Sequence, residues 1–253
     1  MKKSILAVMC CLMVSASANA ALALDRTRVV YEGNSKVETV KIKNPADIPF
    51  LAQSWLTDMD GKDVEDKFIV VPPVLRIESK DYAMLRIKSL PTASQLPQDR
   101  ETAYFLHVRE VPPSEHDKHD DAVAETASGS IQIAIESVIK FFYRPSSLDK
   151  IKRVDKAVAS ATKIKRTGSN KILVENGSPF YVTYSELMVG KAKKDATGFT
   201  PVMLAPFTSR TLKVEKSDRY TLSHINDYGA TVSNTYFCNS KNICTAKDES
   251  EGQ

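Results

Sequence analysis

The sequence predicts an all-β protein made of two antiparallel sandwiches of immunoglobulin type. Three observations carry that expectation. Short β-prone runs recur along the chain between turn-forming residues. Helical periodicity is scarce through the first half. About 230 residues remain once the leader is set aside, twice the size of one such sandwich, so two domains are the natural division.

The leader is residues 1–20. Lys2 and Lys3 make a basic start, Ile5 to Val14 an apolar run, and Ala18-Asn19-Ala20 a small-residue cleavage site, the pattern of an export signal peptide. The run is too short to cross a bilayer, and no later stretch is long and apolar enough. The mature chain is expected to begin at Ala21 and to be exported in soluble form. Its formal net charge falls from +4 to about +2 when Lys2 and Lys3 leave, and such a balance gives no argument for a nucleic-acid partner. The basic clusters at Lys150 to Lys156 and Lys163 to Arg166 read as solvated turns or strand rims. Cys10 and Cys11 leave with the leader. Cys238 and Cys244 remain, an even pair in an oxidising compartment, and are expected to form a disulfide. So short a loop stabilises the fold by only ~2–3 kcal/mol.

In the first domain, residues 21–143, strands are expected at Leu24–Tyr31, Val37–Lys43, Phe50–Thr57, Phe68–Val71, Val74–Ile77, Ala83–Lys88, Ala103–Glu110 and Ile131–Tyr143. Turn signals at Glu32-Gly33-Asn34, Asn44-Pro45, Asp60-Gly61 and Pro91 separate them. Trp55, in the third strand, is expected in the core. Ile131, Ile133 and Ile135 fall at every second position and so share one face of the last strand. Such a row can fill its own core or dock into a partner's groove. The polar, acidic stretch Ser114 to Ser130 just before it is long for a connection.

Arg144-Pro145-Ser146-Ser147 ends that strand and marks the boundary of the second domain, residues 144–253. Strands are expected there at Thr162–Lys165, Lys171–Glu175, Tyr181–Val189, Pro201–Leu204, Arg210–Val214, Tyr220–Asn226 and Thr231–Phe237. The tail from Thr245 is polar and expected to be disordered. Asn176-Gly177-Ser178 matches a glycosylation sequon, but Asn-Gly between two strands reads more strongly as a turn.

No stretch argues for catalysis: there is no glycine-flanked serine elbow, metalloprotease helix or phosphate loop. His116 and His119, with Asp117, Asp120 and Asp121, have metal-ligand spacing but no scaffold, and read as a solvated loop. His107 and His224 stand alone within strands and read as ordinary strand residues.

Several stretches are unusual together: LDRTRVVYEG from Leu24, PFLAQSW from Pro49, VPPV from Val71, LPQDRE from Leu96, VREVPP from Val108, IKFFYRP from Ile139, MLAPF from Met203 and INDYGA from Ile225. In these pieces, spread in order over nearly the whole mature chain, the sequence resembles the periplasmic pilus chaperones, most closely the type serving P pili. The resemblance implies two immunoglobulin-like domains set at an angle, with a cleft between them. It implies a binding protein of the periplasm, not an enzyme, with no cofactor and no metal, whose partners are pilin subunits and an outer-membrane usher. By the matching positions, Arg28 and Lys140 anchor the pilin's C-terminal carboxylate. Two fixed cations suit that task through charge-assisted hydrogen bonds. Ile131, Ile133 and Ile135 match the strand lent to an incomplete pilin sheet, a strand-addition mode of recognition. A self-capping dimer of the free protein is compatible with such an edge. Glu101, Arg144 and Asp227 match a charge network between the domains, and Pro72-Pro73 a proline pair where a cis bond fits.

Two other classes compete. A fimbrial subunit or adhesin would be one incomplete sandwich with a donor segment at its N-terminus, whereas two domains and a tail of Asp248-Glu-Ser-Glu-Gly-Gln253 are read here. A carbohydrate-binding sandwich would show clustered exposed aromatics or a calcium cage. The 114–130 stretch is longer than in short-loop pilus chaperones and lacks the cysteine pair of many long-loop ones, so the subgroup stays open. Lys140 also lies an odd number of positions from the isoleucines, which would put it on the opposite face of a regular strand; a bulge or strong twist near Glu136-Ser137 is therefore expected.

Overall fold

The computed structural model describes residues 22–111 and 134–246. The signal peptide, the 114–130 stretch with His116 and His119, Ile131 and Ile133 of the isoleucine row, and residues 247–253 lie outside the described residues.

The first domain runs through β1 (Ala23–Leu24), β2 (Arg28–Glu32), β3 (Glu38–Lys43), β4 (Phe50–Thr57), β5 (Phe68–Val71), β6 (Val74–Ile77), β7 (Tyr82–Ser89), β8 (Thr102–Val111) and β9 (Glu136–Arg144). These make two sheets, β1-β3-β7-β5 and β2-β9-β8-β4-β6. Between them Phe68 lies 5.1 Å from Phe141 and 5.3 Å from Tyr104, both edge-on, with Tyr31 at 5.7 Å. Alternation along β9 turns Ile139, Phe141 and Tyr143 into this core and leaves Val138, Lys140, Phe142 and Arg144 on the other face. The peptide bond between Val71 and Pro72 is cis.

Three expectations are corrected here. The first strand, read as continuous over Leu24–Tyr31, is two: β1 pairs β3 in one sheet, and β2 pairs β9 in the other. The chain changes sheets at Asp25 to Thr27. Asp25 holds the crossing through its amide to the Lys41 carbonyl, 3.0 Å, and its carboxylate to the Lys41 amide, 3.2 Å. Trp55 is not in the core. Ala52, Ser54 and Leu56 take the inward positions of β4, and strand periodicity places Trp55 outside, stacked on His107 at 4.9 Å with the Arg109 guanidinium 5.0 Å above the indole. No bulge interrupts β9. Its register against β8 is unbroken from Glu136↔Arg109 to Tyr143↔Thr102, and the Glu110 amide continues the ladder to the Ile135 carbonyl at 2.9 Å. Ile135 and Lys140 therefore do face opposite ways, with Ile135 on the side of the sandwich core and Lys140 on the outer face.

The second domain starts with α1 (Val154–Ala161) and continues through β10 (Thr162–Arg166), β11 (Ile172–Asn176), β12 (Val182–Val189), β13 (Lys194–Asp195) and β14 (Val202–Leu204). It ends with β15 (Thr208–Leu212), β16 (Arg219–Ile225), β17 (Thr231–Cys238) and β18 (Ile243–Ala246), whose Thr245 and Ala246 pair with Phe237 and Tyr236 and so are strand, not the start of a disordered tail. The sheet follows β13-β12-β16-β17-β18-β10-β11-β15, with β14 beside β12. Its core holds Phe180, Tyr184, Tyr220, Leu222 and Tyr236. The basic cluster from Lys150, read as a turn or strand rim, leads into α1. There Val154, Val158 and Ala157 pack on the core, and the Thr162 hydroxyl lies 2.8 Å from both the Val158 carbonyl and the Tyr184 hydroxyl. Two helical turns are too short to show a period in sequence. Cys238 and Cys244 form the expected disulfide across β17 and β18. Asn176 ends β11 and holds the turn that follows: fully buried, its side chain donates to the Phe180 and Ala205 carbonyls at 2.8 and 3.0 Å.

The domains meet closely. The Glu101 amide donates to the Pro179 carbonyl at 2.9 Å, and the Asn34 amide to Asp149 at 2.9 Å. Gly229 tips the turn after β16 with φ of +83°. A Cβ there would lie 2.8 Å from the Thr27 hydroxyl, so both conformation and space require glycine.

Candidate functional site: the interdomain cleft and the open edge of β9

The change of sheet at Asp25 to Thr27 decides what β9 exposes. β8 pairs β9 from Glu136 to Tyr143, but on its other side β2 pairs it only from Arg28↔Lys140 to Glu32↔Arg144. Glu136 to Ile139 have no strand on that side among the described residues. Their main-chain groups form an open edge, the template that strand addition uses. Ile135, which leads into this edge, is 45% exposed, and Val138 is 47% exposed.

Arg28 and Lys140 mark where the open edge stops. As register partners in adjacent parallel strands they stand side by side on the outer face. Each reaches into the second domain: Arg28 Nη1 donates to the Ile225 carbonyl at 3.1 Å, and Lys140 Nζ to Thr183 Oγ1 at 2.8 Å. Neither makes an ion pair among the described residues, and Arg28 Nε is buried with no hydrogen-bond partner. Burial pushes the Lys140 ammonium below its ordinary value, and the Arg28 charge pushes it further the same way. Burial also lowers Arg28, with Asp227 and Glu101 acting against it. Two half-buried cations with only neutral hydrogen-bond acceptors make a site that favours an anion.

The same face of β9 carries a second cluster, and there the cation has counter-charges from its own chain. Arg144 Nε and Nη2 donate to Glu101 Oε1 at 2.9 and 2.7 Å. Its Nη1 and Nη2 donate to the Asp227 carboxylate at 2.9 and 3.0 Å. The other Glu101 oxygen accepts the Tyr181 amide at 2.7 Å. The guanidinium lies 4.9 Å from the centre of the Phe180 ring. Burial pushes the Glu101 carboxyl up, to about 7, against the pull of Arg144 and the Tyr181 amide. Arg144 loses hydration too, yet Asp227 and Glu101 hold it above the ordinary guanidinium range. Arg144 is the last residue of β9, on the first domain's sheet and not in the second domain where the sequence reading put it; Glu101 precedes β8 and Asp227 lies in the turn after β16, so the cluster ties the domains together.

Sequence reasoning gave His107 no role beyond its strand. It sits at the base of the open edge, with Nδ1 2.7 Å from Glu136 and Nε2 3.0 Å from the Thr57 hydroxyl, while Arg109 clamps the same carboxylate at 2.7 Å. A signal was present in the period-two positions of Trp55, His107 and Arg109, but only register brings them together. His224 is buried and bonded to Asp155 at 3.1 Å. No cluster able to hold a metal occurs among the described residues.

Comparisons with known proteins show what the chain is similar to. The family model described as pili and flagellar-assembly chaperone, PapD N-terminal domain, matches residues 21–149. The pili assembly chaperone PapD C-terminal domain matches residues 157–236. The chaperone protein PapD of Escherichia coli is 35% identical, covering 98% of this chain and 99% of that protein. The chaperone protein MrkB of Klebsiella pneumoniae is also 35% identical, over 90% of this chain and 96% of its own length. Among solved structures, the Salmonella enterica SafB chaperone in complex with the SafA pilin matches with a TM-score of 0.69 at 28% identity, covering 88% of this chain and 98% of that one. The E. coli chaperone DraB matches with a TM-score of 0.68 at 31% identity, over 84% and 93%.

Proposed function

The chain belongs to the pili and flagellar-assembly chaperone family, and from that membership we propose that it captures fimbrial subunits in the periplasm by lending them the open edge of β9. The observation that carries the proposal is the position of Arg28 and Lys140 at the closed end of that edge. A subunit's C-terminal carboxylate held by the two cations fixes the register of the strand running outward along Ile139 to Glu136. The isoleucine row of Ile131, Ile133 and Ile135 then supplies alternating apolar side chains to the unfinished groove. The parity of Ile135 suits this: it continues the face on which Ile139, Phe141 and Tyr143 form the chaperone's own core, so a docked subunit would extend that core.

The export signal read at residues 1–20 supports a periplasmic location, and delivery to an outer-membrane usher follows from the family. The test is capture of a co-expressed fimbrial subunit by purified Arg28→Ala and Lys140→Ala chains. Both variants fold and lose the subunit. Normal capture by either would overturn the anchor assignment.

A further inference from the structure

The two cations are half of a four-cornered clamp. Arg28 and Lys140 are register partners on the first domain's sheet. Thr183 and Ile225 are register partners on the second domain's sheet. One hydrogen bond joins each pair of corners, Arg28 to the Ile225 carbonyl at 3.1 Å and Lys140 to Thr183 Oγ1 at 2.8 Å. The second domain therefore sets where both cations point. The corners differ chemically. The Ile225 carbonyl can only accept, whereas a threonine hydroxyl has one proton to donate as well as lone pairs. Because Lys140 is the donor in its contact, the Thr183 oxygen is the acceptor and its own proton is left over. No described residue accepts that proton. Thr183 is half-buried, facing the cleft one residue before the register of β12 against β16 shifts between Tyr184 and Glu186, an irregularity of the kind that re-aims side chains.

We propose that Thr183 is a positioning residue of the carboxylate anchor, fixing the Lys140 ammonium through its oxygen and donating its proton to the bound carboxylate as a third ligand beside the two cations. This rests on the reading of Arg28 and Lys140 as that anchor. It makes the second domain part of the recognition of a free chain terminus: a carboxylate accepts from all three donors, whereas a C-terminal amide presents its own N–H groups to at least one of them.

The test uses one short synthetic peptide of alternating valine and threonine, made with a free C-terminal carboxylate and again with a C-terminal amide. Wild-type protein binds the carboxylate form more tightly. Thr183→Val and Thr183→Ala reduce that preference about tenfold, the effect of one hydrogen bond to a charged group, while Thr183→Ser keeps it, and the amide form binds all chains alike. The carbon-13 titration of Lys140 moves to lower pH in Thr183→Val and not in Thr183→Ser, because an acceptor favouring the charged amine is gone. An unchanged preference in the valine and alanine variants overturns the role of Thr183, as does an equal loss of both peptides, which would mark a structural strut. In either case, loss of the preference in Lys140→Ala leaves the anchor itself standing. A preference that survives Lys140→Ala, or none in the wild type, removes the anchor reading and this inference with it.

Discussion

Arg144 and Lys140 project from the same face of the same strand, four residues or about 13 Å apart, and meet opposite fates. Arg144 is enclosed by three carboxylates of its own chain, Glu101 and, at 3.4 Å, Glu32 from the first domain and Asp227 from the second. Lys140 has a like charge beside it and only the neutral oxygen of Thr183 to bond. Phe142 lies between them, stacked on Tyr181 at 5.8 Å, and separates the two environments. A buried cation whose counter-charges come with the fold is part of the joint between the domains. One left with neutral partners is the one proposed to hold an anion from elsewhere. The contrast lies in the partners, since both cations lose hydration.

Mutation can break the contrast, and the largest effect is expected at Arg144. Arg144→Ala leaves Glu101, only 3% exposed, without its counter-ion and should cost about 3–5 kcal/mol in urea unfolding. A cost no greater than that of Lys140→Ala would erase the distinction. Asp227→Asn keeps the shape of the joint but removes one charge at its exposed side, where the Asp227 side chain is 33% exposed. It should cost about 1 kcal/mol and shift the domain angle measurably by small-angle scattering. An unchanged angle would mean the network does not set it. Lys140→Ala should change stability by less than about 1 kcal/mol while losing subunit capture. Stability loss and binding loss moving together would place Lys140 in the joint instead.

A pH series sharpens the same point without mutation. The proposed anchor needs Lys140 protonated, and its ionisation is displaced downward by burial and by Arg28. Capture should therefore hold through neutral pH and fail on the alkaline side earlier than an ordinary lysine would dictate. Loss only where free lysines titrate would contradict the assigned environment. The smallest effect on stability belongs to Ile135→Asp at the edge, under about 0.5 kcal/mol for a side chain 45% exposed, with capture weakened. A large drop in melting temperature would show Ile135 to be core.

The sequence by itself determined what depends on neighbours along the chain. Alternating β-prone runs announced two sandwiches, two cysteines six residues apart announced the disulfide, and Asn176-Gly177 announced its turn. Resemblance to a family marked Arg28, Lys140, Glu101, Arg144 and Asp227 as residues of interest. It also grouped Glu101, Arg144 and Asp227 as one network, but a period of two says only that a side chain alternates and leaves open which face is inside. Trp55 was misassigned for that reason, and the bulge was invoked to place Lys140 with isoleucines whose face it does not share. Only the tertiary structure decided that the first strand splits between two sheets, that among the described residues β9 keeps one edge open from Glu136 to Ile139, and that Thr183 and Ile225 close over the cations. Each of these is a matter of register between residues far apart in the chain, set by pairing and packing that no local stretch encodes.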